Sequence, residues 1–197
     1  MMKIAIANAK GGVGKTTTTL YLASAAVMRG LAARVWDADI QASASLWADQ
    51  AASIGQPLPF EVMPANRSTL MKPTDEHELV FIDLPPAGDV MVQALSVADV
   101  VIVPMTDTAV DYQQTWITMH NIPTTTPKRI LLTRAEENTS AFKSLVAALA
   151  EQRLPRFYPV IRKRQPLKLA MGTNPKKLFE YADVLTELLD LIKNKDA

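Results

Sequence analysis

The chain has 197 residues, of which 48% are hydrophobic and 21% charged, and this composition is typical of a soluble globular domain. The absence of cysteine excludes disulfides, cysteine-ligated metal centres and thiol catalysis. No apolar run approaches the roughly 20 residues of a membrane-spanning helix, and the short apolar start leads into a glycine-rich loop rather than a signal-peptide cleavage site. We therefore expect a cytoplasmic protein.

Charge is unevenly distributed along the chain, although the formal net charge is only +1. Residues 153–177 contain eight of the 21 basic residues and no acidic residue, which leaves 13 basic and 20 acidic residues elsewhere. We call residues 153–177 the basic segment. A basic segment on an acidic body predicts an anionic partner for that segment.

Strands and helices are predicted to alternate along the whole chain. The predicted strands are residues 3–8, 33–37, 60–63, 79–83, 100–104, 129–133 and 157–161. The predicted helices are residues 16–29, 43–52, 89–96, 107–121, 140–152 and 175–193. This alternation predicts an α/β fold, a mostly parallel twisted sheet with helices on both faces. No long linker divides the chain, so we expect one domain over residues 1–197.

A glycine-rich loop stands between the first predicted strand and the first predicted helix, with the sequence KGGVGKTT. Glycines let backbone N–H groups curl around phosphate oxygens, and the helix N-terminus adds its dipole. Lys15 supplies a charge for the β- and γ-phosphates, and the Thr16 hydroxyl suits Mg²⁺. This P-loop predicts a nucleotide hydrolase that binds ATP with Mg²⁺ through Lys10, Gly11, Gly12, Val13, Gly14, Lys15, Thr16 and Thr17.

The loop departs from the common G-x-x-x-x-G-K-[ST] pattern, because Ala9 replaces the first glycine and a second lysine, Lys10, opens the loop. This deviant Walker A sequence resembles that of the ParA/MinD family of ATPases. In that family the extra lysine reaches the nucleotide of the partner subunit. The resemblance implies that ATP binding forms a homodimer and that Lys10, with Lys15, contributes to hydrolysis. A cation supplied by a partner suits phosphoryl transfer, because charge develops on phosphate oxygens.

Two aspartates follow the second predicted strand in Asp37-Ala-Asp39-Ile-Gln41, where the family usually has proline instead of Ile40. The resemblance implies that Asp39 orients or activates the attacking water and that Asp37 lies nearer the magnesium. A carboxylate beside the γ-phosphate suits the alignment of a water nucleophile. The alternative is that Asp39 caps the helix that begins near Ser43.

Asp83 ends the apolar run Leu79-Val-Phe-Ile, which has the form of a Walker B strand. A carboxylate at the carboxyl end of a parallel strand lies where open α/β sheets bind ligands. We expect Asp83 to hold Mg²⁺, through water, since this ion keeps much of its hydration shell. The following Leu84-Pro-Pro86 resembles the turn of the family. The predicted magnesium neighbourhood is Thr16, Asp37, Asp39 and Asp83.

Two later strand ends lie where the family usually contacts adenine. They place Thr133 and Arg134 after one strand and Arg162 after the next. The resemblance therefore implies that these three residues complete the nucleotide site. His77 and His120 stand alone in the sequence, and we expect neither to be a ligand or a catalytic base.

ParA-type proteins bind DNA without sequence preference when they are dimeric and ATP-bound, and the basic segment is the candidate for that contact. Neutralising about 6–10 phosphates gives useful affinity and a steep salt dependence. The expected DNA-binding residues are Arg162, Lys163, Arg164, Lys168, Lys176 and Lys177. The alternative is that this charge is a solvated surface or partly a neighbourhood of the nucleotide.

Within the family the chain resembles the short ParA partition ATPases, which lack an N-terminal helix-turn-helix. The resemblance implies a nucleoid-associated ATPase for plasmid or chromosome partition, stimulated by a partner protein that binds a centromere-like site. A ParA-like ATPase that positions a protein cargo is the alternative, because it would share the ATP cycle and the DNA track. A MinD-type membrane ATPase is disfavoured, since the acidic residues of the last helix would repel anionic lipid, and no stable membrane association is expected.

Overall fold

Six strands form the sheet at the centre of the computed structural model, in which residues 2–73 and 78–193 are described. The strands are β1 (Met2–Ile6), β2 (Ala32–Asp37), β3 (Val62–Pro64), β4 (Glu78–Asp83), β5 (Val100–Met105) and β6 (Lys128–Leu132). They lie in the order β3-β2-β4-β1-β5-β6, and every neighbouring pair is parallel. The predicted parallel α/β architecture is confirmed.

Eight helices accompany this sheet within the described residues. They are α1 (Lys15–Met28), α2 (Ser43–Ser53), α3 (Arg67–Met71), α4 (Asp89–Val97), α5 (Ala109–Asn121), α6 (Ser140–Glu151), α7 (Gln165–Lys168) and α8 (Tyr181–Lys193). No helix in these ranges combines the length and the apolar character needed to cross a bilayer.

Apolar side chains of the central strands alternate between two cores, one on each face of the sheet. Ile4, Ile6 and Phe81 pack on the face that α1, α2 and α8 cover. Ala5 and Ile82 pack on the opposite face, against apolar residues of α3, α4, α5 and α6. Burial on both faces explains why these strands are nearly continuous apolar runs in the sequence.

The carboxyl ends of β1, β2 and β4 bring three predicted site elements to one edge of the sheet. Asp83 is paired in register with both Ile6 and Asp37. Strand β1 lies between β4 and β5, so the order of the strands reverses beside the loop that follows it. Such a switch point is where open parallel sheets bind their ligands.

The predicted strand at 157–161 is wrong, because this segment follows β6 without forming a regular strand. Its N–H groups at Phe157 and Ile161 donate to Ile130 and Leu132, two neighbouring acceptors of one strand face. Pro159 lies between them and has no N–H to donate. The two donors are therefore four residues apart, whereas in a regular parallel strand they would be two residues apart. Only isolated bridges remain in this segment.

The last helix begins at Tyr181, and the prediction that it begins at residue 175 is wrong. Phe179 has a φ of +50°, a left-handed conformation that an α-helix cannot include. The short helices α3 and α7 were not predicted, because four or five residues are too few to show a helical period. The isolated His77 lies outside the described residues.

Candidate nucleotide-binding site

The glycine-rich loop joins β1 to α1 and turns through two glycines in the left-handed region. The φ angle is +78° at Gly12 and +90° at Gly14, where other residues would be strained. Gly14 immediately precedes α1 and has no side chain that could cap it. The first N–H groups of α1 therefore form an anion site of the kind that binds phosphate.

Lys15 is the first residue of α1, and its side chain is 8% exposed. Its Nζ donates to the carbonyl oxygens of Asn8 at 3.3 Å and Lys10 at 3.2 Å, so the loop curls around the ammonium group. Burial lowers the pKa of Lys15, while Asp83 and Asp39 act in the opposite direction. The lysine is thus a buried cation without a close carboxylate, which suits an incoming phosphate.

Thr16 and Asp83 form a paired group at the floor of the site. The Thr16 hydroxyl donates to Oδ2 of Asp83 at 2.7 Å, whereas Oδ1 of Asp83 is buried without a hydrogen-bond partner among the described residues. Asp83 is 1% exposed, and burial raises its pKa to about 7. An unpartnered carboxylate oxygen beside a hydroxyl fits a hard cation such as Mg²⁺.

No group of three or more histidine and carboxylate side chains within residues 2–73 and 78–193 could hold a metal ion. Mg²⁺ commonly takes most of its ligands from phosphates and water, so one hydroxyl and one carboxylate suit this ion. The metal-binding roles of Thr16 and Asp83 stay predictions.

Asp37 and Asp39 lie two residues apart but face different neighbours. Oδ2 of the buried Asp37 accepts from the N–H and the hydroxyl of Ser45, at 2.8 and 2.7 Å. Asp37, rather than Asp39, thus holds the first turn of α2. Asp39 borders a cavity beside the glycine-rich loop, and its Oδ1 accepts from the N–H of Gln41 at 3.0 Å. Of the two aspartates, Asp39 is the one placed to act on a ligand.

A cavity of about 960 Å³ opens beside the glycine-rich loop and brings distant parts of the chain together. The loop residues that border it are Gly11, Gly12, Gly14, Lys15, Thr16 and Thr17. The predicted adenine neighbours Thr133, Arg134 and Arg162 also border it. The Thr133 hydroxyl also donates to the carbonyl of Val13 at 2.8 Å, which fixes the loop against β6. The buried Val13 side chain leaves only its backbone for a phosphate.

Lys10 behaves differently from Lys15. It does not border this cavity, and no carboxylate of the described residues lies within ion-pair distance of it. Its backbone N–H donates to Oδ1 of Asn8 at 2.9 Å. The backbone of Lys10 is therefore held while its ammonium group has no acidic partner among the described residues of its own subunit.

Asn8 is a site residue that the sequence interpretation missed. It is completely buried two residues after the end of β1, and its side chain bonds to Lys10, Pro104 and Thr115. The sequence signal that could have indicated it is the position of this polar residue, directly between the apolar run of β1 and the glycine-rich loop. A buried amide is retained in such a place only when its hydrogen bonds are made.

The basic segment is split by its contacts. Arg162 pairs with Glu137 and Glu180, Arg164 also pairs with Glu180, and Lys163 pairs with Glu136. These three cations border the nucleotide cavity, as Lys168 does. The other three lysines differ in their ion pairs. Lys168, Lys176 and Lys177 are exposed and have no acidic partner among the described residues.

Residues 4–175 match the family described as the CobQ/CobB/MinD/ParA nucleotide-binding domain (CbiA). The chain belongs to this family, and its fold and loop are those of a ParA-type nucleotide-binding domain.

Two curated relatives and one solved structure illustrate the likeness. The chain is 35% identical over 166 residues to "Maintenance of carboxysome distribution protein A" of Gloeobacter kilaueensis, covering 81% of this chain and 76% of the relative. It is 29% identical over 116 residues to protein ParA of Rhizobium radiobacter, covering 56% and 51%. A plasmid partition protein of Borrelia burgdorferi bound to AMPPNP has a TM-score of 0.75 at 20% identity, covering 98% of this chain and 99% of that one. At that identity the structural match establishes the fold.

Proposed function

We propose that this chain is a ParA-type ATPase that binds ATP with Mg²⁺, closes into a homodimer and, in that state, binds duplex DNA without sequence preference. The observation that carries the proposal is the contrast between two lysines of one loop. Lys15 is enclosed by the loop, whereas Lys10 lies outside the cavity of its own subunit and has no acidic partner among the described residues.

The loop residues bind the triphosphate. Backbone N–H groups of residues 11–17 surround the phosphates, and Lys15 exchanges its two carbonyl acceptors for β- and γ-phosphate oxygens. A phosphate oxygen is a stronger acceptor for an ammonium group than a neutral carbonyl. ATP binding therefore releases the carbonyls of Asn8 and Lys10 from Lys15.

Thr16 and Asp83 are the residues that would hold Mg²⁺, through the hydroxyl and the carboxylate. When bound, the ion neutralises charge that develops on the β- and γ-phosphate oxygens. Burial raises the pKa of Asp83, and a bound dication would favour the ionised form of this carboxylate. Asp37 supports this arrangement by holding α2, rather than by direct coordination.

Asp39 orients the attacking water. The N–H of Gln41 fixes its Oδ1, so the turn that leads into α2 sets the direction of the carboxylate. Lys10 of the second copy supplies the cation that the transition state needs at the γ-phosphate, in the manner of an arginine finger. Hydrolysis thus depends on the dimer, and departure of the inorganic phosphate that it forms removes the charge that joins the two subunits.

The DNA-binding surface lies on the basic segment. Lys168, Lys176 and Lys177 contribute most, because they are exposed and need not leave an acidic partner to reach a phosphate. Arg162, Lys163 and Arg164 contribute less, since their charge is already balanced by glutamates.

The cargo is a plasmid or chromosome, recognised through a centromere-binding protein that stimulates hydrolysis. A protein cargo is the second candidate, favoured by the 35% identity to a relative named for carboxysome distribution. Deleting the gene in its native cell distinguishes the two. Loss of plasmid or chromosome from daughter cells supports DNA partition, whereas clustering of a fluorescently labelled protein assembly, with DNA inheritance intact, supports the second candidate.

Replacing Lys10 by alanine tests the ATP cycle. We expect Lys10→Ala to bind ATP normally, to dimerise much more weakly in sedimentation with Mg²⁺ and a non-hydrolysable ATP analogue, and to lose roughly tenfold or more of its hydrolysis rate. Lys143→Ala, which removes an exposed lysine of α6, is the matched control and should behave as the unaltered chain. Normal dimerisation and hydrolysis in Lys10→Ala would show that the lysine does not act across an interface.

A further inference from the structure

Asn8 connects the glycine-rich loop to the far side of the sheet. Its Nδ2 donates to the carbonyl of Pro104 at 2.7 Å and to the Thr115 hydroxyl at 3.0 Å, while its Oδ1 accepts from the N–H of Lys10 at 2.9 Å. Pro104 belongs to β5 and Thr115 to α5. One buried amide thus ties the backbone of Lys10 to two elements that follow it by about a hundred residues.

Helix α5 makes a second contact with the same part of the loop. The Thr118 hydroxyl accepts from the N–H of Ala9 at 3.2 Å and donates to the carbonyl of Gln114 at 2.8 Å. A hydroxyl can do both at once, since it has one donor and two lone pairs. Thr115 and Thr118 are both completely buried, so these bonds do not compete with water.

These bonds matter because the Lys10 side chain has no carboxylate partner of its own among the described residues. Its starting direction is therefore set by the backbone to which it is attached. A lysine side chain has much rotamer freedom, and a fixed backbone reduces what must be ordered when the ammonium group meets a ligand.

We infer that Asn8 and Thr118 are positioning residues for Lys10: they hold the backbone of residues 9 and 10 against α5, so that the lysine is presented away from its own cavity and towards the nucleotide of a second copy. This inference rests on the proposed action of Lys10 across the dimer. It makes α5 part of the mechanism, although α5 does not border the nucleotide cavity in the described structure.

Thr118→Val is the most specific test, because valine has nearly the same shape and lacks only the hydroxyl. We expect ATP affinity to change less than twofold, whereas the dissociation constant of the ATP-bound dimer should rise about three- to tenfold, the usual worth of one hydrogen bond. Hydrogen exchange at the N–H of Ala9 should become faster. Thr118→Ser should restore dimerisation, since it restores the acceptor.

Ser24→Ala is the matched control for the loss of a buried helical hydroxyl. Ser24 is buried in α1 and donates to Leu20 within its own helix, so its loss should leave the dimer unchanged. Asn8→Ala removes three bonds and should weaken the dimer more than Thr118→Val does. Thermal melting of every variant separates a loss of dimerisation from a loss of folding.

The double variant Lys10→Ala/Thr118→Val decides between positioning and a general structural role. If Thr118 acts through Lys10, the double variant should dimerise no more weakly than Lys10→Ala alone. An additive loss, or a Thr118→Val variant with normal dimerisation, would overturn the inference while leaving the ATPase proposal intact. A neutral Lys10→Ala would instead contradict the proposed function and the inference together.

Discussion

The glycine-rich edge of the sheet and the basic segment border the same cavity, yet they hold their charges in different ways. Lys15 and Asp83 are buried, and their partners are backbone carbonyls and one hydroxyl. Lys163 has a side-chain exposure of 65% and pairs with a glutamate whose exposure is 50%. A buried charge must have a partner or a ligand, which restricts its role. An exposed ion pair contributes little free energy, and either partner can exchange the other for water or another ion.

Asp83→Asn should have the largest effect and act on stability. In metal-free protein the folded chain keeps a proton on Asp83 up to about pH 7, whereas the unfolded chain releases it near its ordinary pKa of 3.8. The free energy of unfolding should therefore fall as pH rises through this window. Asparagine does not titrate, so at pH 8 the variant should be more stable by up to about 4 kcal/mol.

Chemical denaturation with a chelator present, at pH 5 and at pH 8, measures this difference. Asp190→Asn, at an exposed position of α8, is the control. Equal pH dependence in the Asp83 variant and the unaltered chain would show that Asp83 is not the group that burial perturbs.

Lys15→Ala should weaken ATP binding on the order of 100-fold, because it removes a charge-assisted contact from an enclosed site. Lys163→Ala is the variant for comparison, since it removes a lysine that borders the same cavity but is already paired with Glu136. Its effect on ATP affinity should stay below about threefold. Calorimetric titration with ATP and Mg²⁺ measures the affinity of both variants. Similar losses of ATP affinity would show that the buried and the exposed lysine do not differ in their role.

Within the basic segment, Lys176→Gln/Lys177→Gln should weaken ATP-dependent DNA binding more than Arg162→Gln/Lys163→Gln does. Removing one lysine that binds a phosphate should reduce the magnitude of the slope of log affinity against log salt by about 0.9. The loss of both Lys176 and Lys177 should therefore reduce it by nearly twice that amount. The second pair frees two glutamates and should change the slope less. Fluorescence anisotropy of labelled duplex DNA gives the slopes, and the opposite ranking would mean that the ion pairs open on DNA.

Trp47→Phe should have the smallest effect. Nε1 of this buried α2 residue donates to the carbonyl of Thr173 in the basic segment at 2.7 Å. Phenylalanine keeps most of the ring but leaves that carbonyl unpaired, so we expect a loss of about 1–2 kcal/mol in unfolding free energy. Thermal melting measures it, and an unchanged melting temperature would show that this bond does not join the two regions.

The glycine-rich edge could be predicted because its residues are contiguous and each has a restricted role. An apolar strand, a loop with Gly12 and Gly14 in positions that require glycine, and a buried Asp83 are visible in sequence order. The role of Asn8 was not predicted, because its partners Pro104 and Thr115 are distant in the chain. A hydrogen-bond network of this kind exists only after folding.

The basic segment could be predicted as a charge pattern but not as a structure. Arg162 meets Glu137 across 25 positions and Glu180 across 18, so fewer cations are unbalanced than the sequence indicates. Pro159 disrupts the expected strand, and the left-handed Phe179 delays the last helix, because local backbone geometry overrides the hydrophobic period there. Exposed charges and short irregular segments depend on tertiary neighbours, which a single sequence does not reveal.

The central claim is that ATP makes this chain a DNA-binding dimer. It is tested most directly by measuring the affinity for a non-specific duplex with Mg²⁺ and ATP analogue, with ADP and without nucleotide, across a series of salt concentrations. The account predicts tight, salt-sensitive binding with the ATP analogue alone. Absence of binding in a protein that still dimerises with the analogue, or equal binding in all three states, would contradict it.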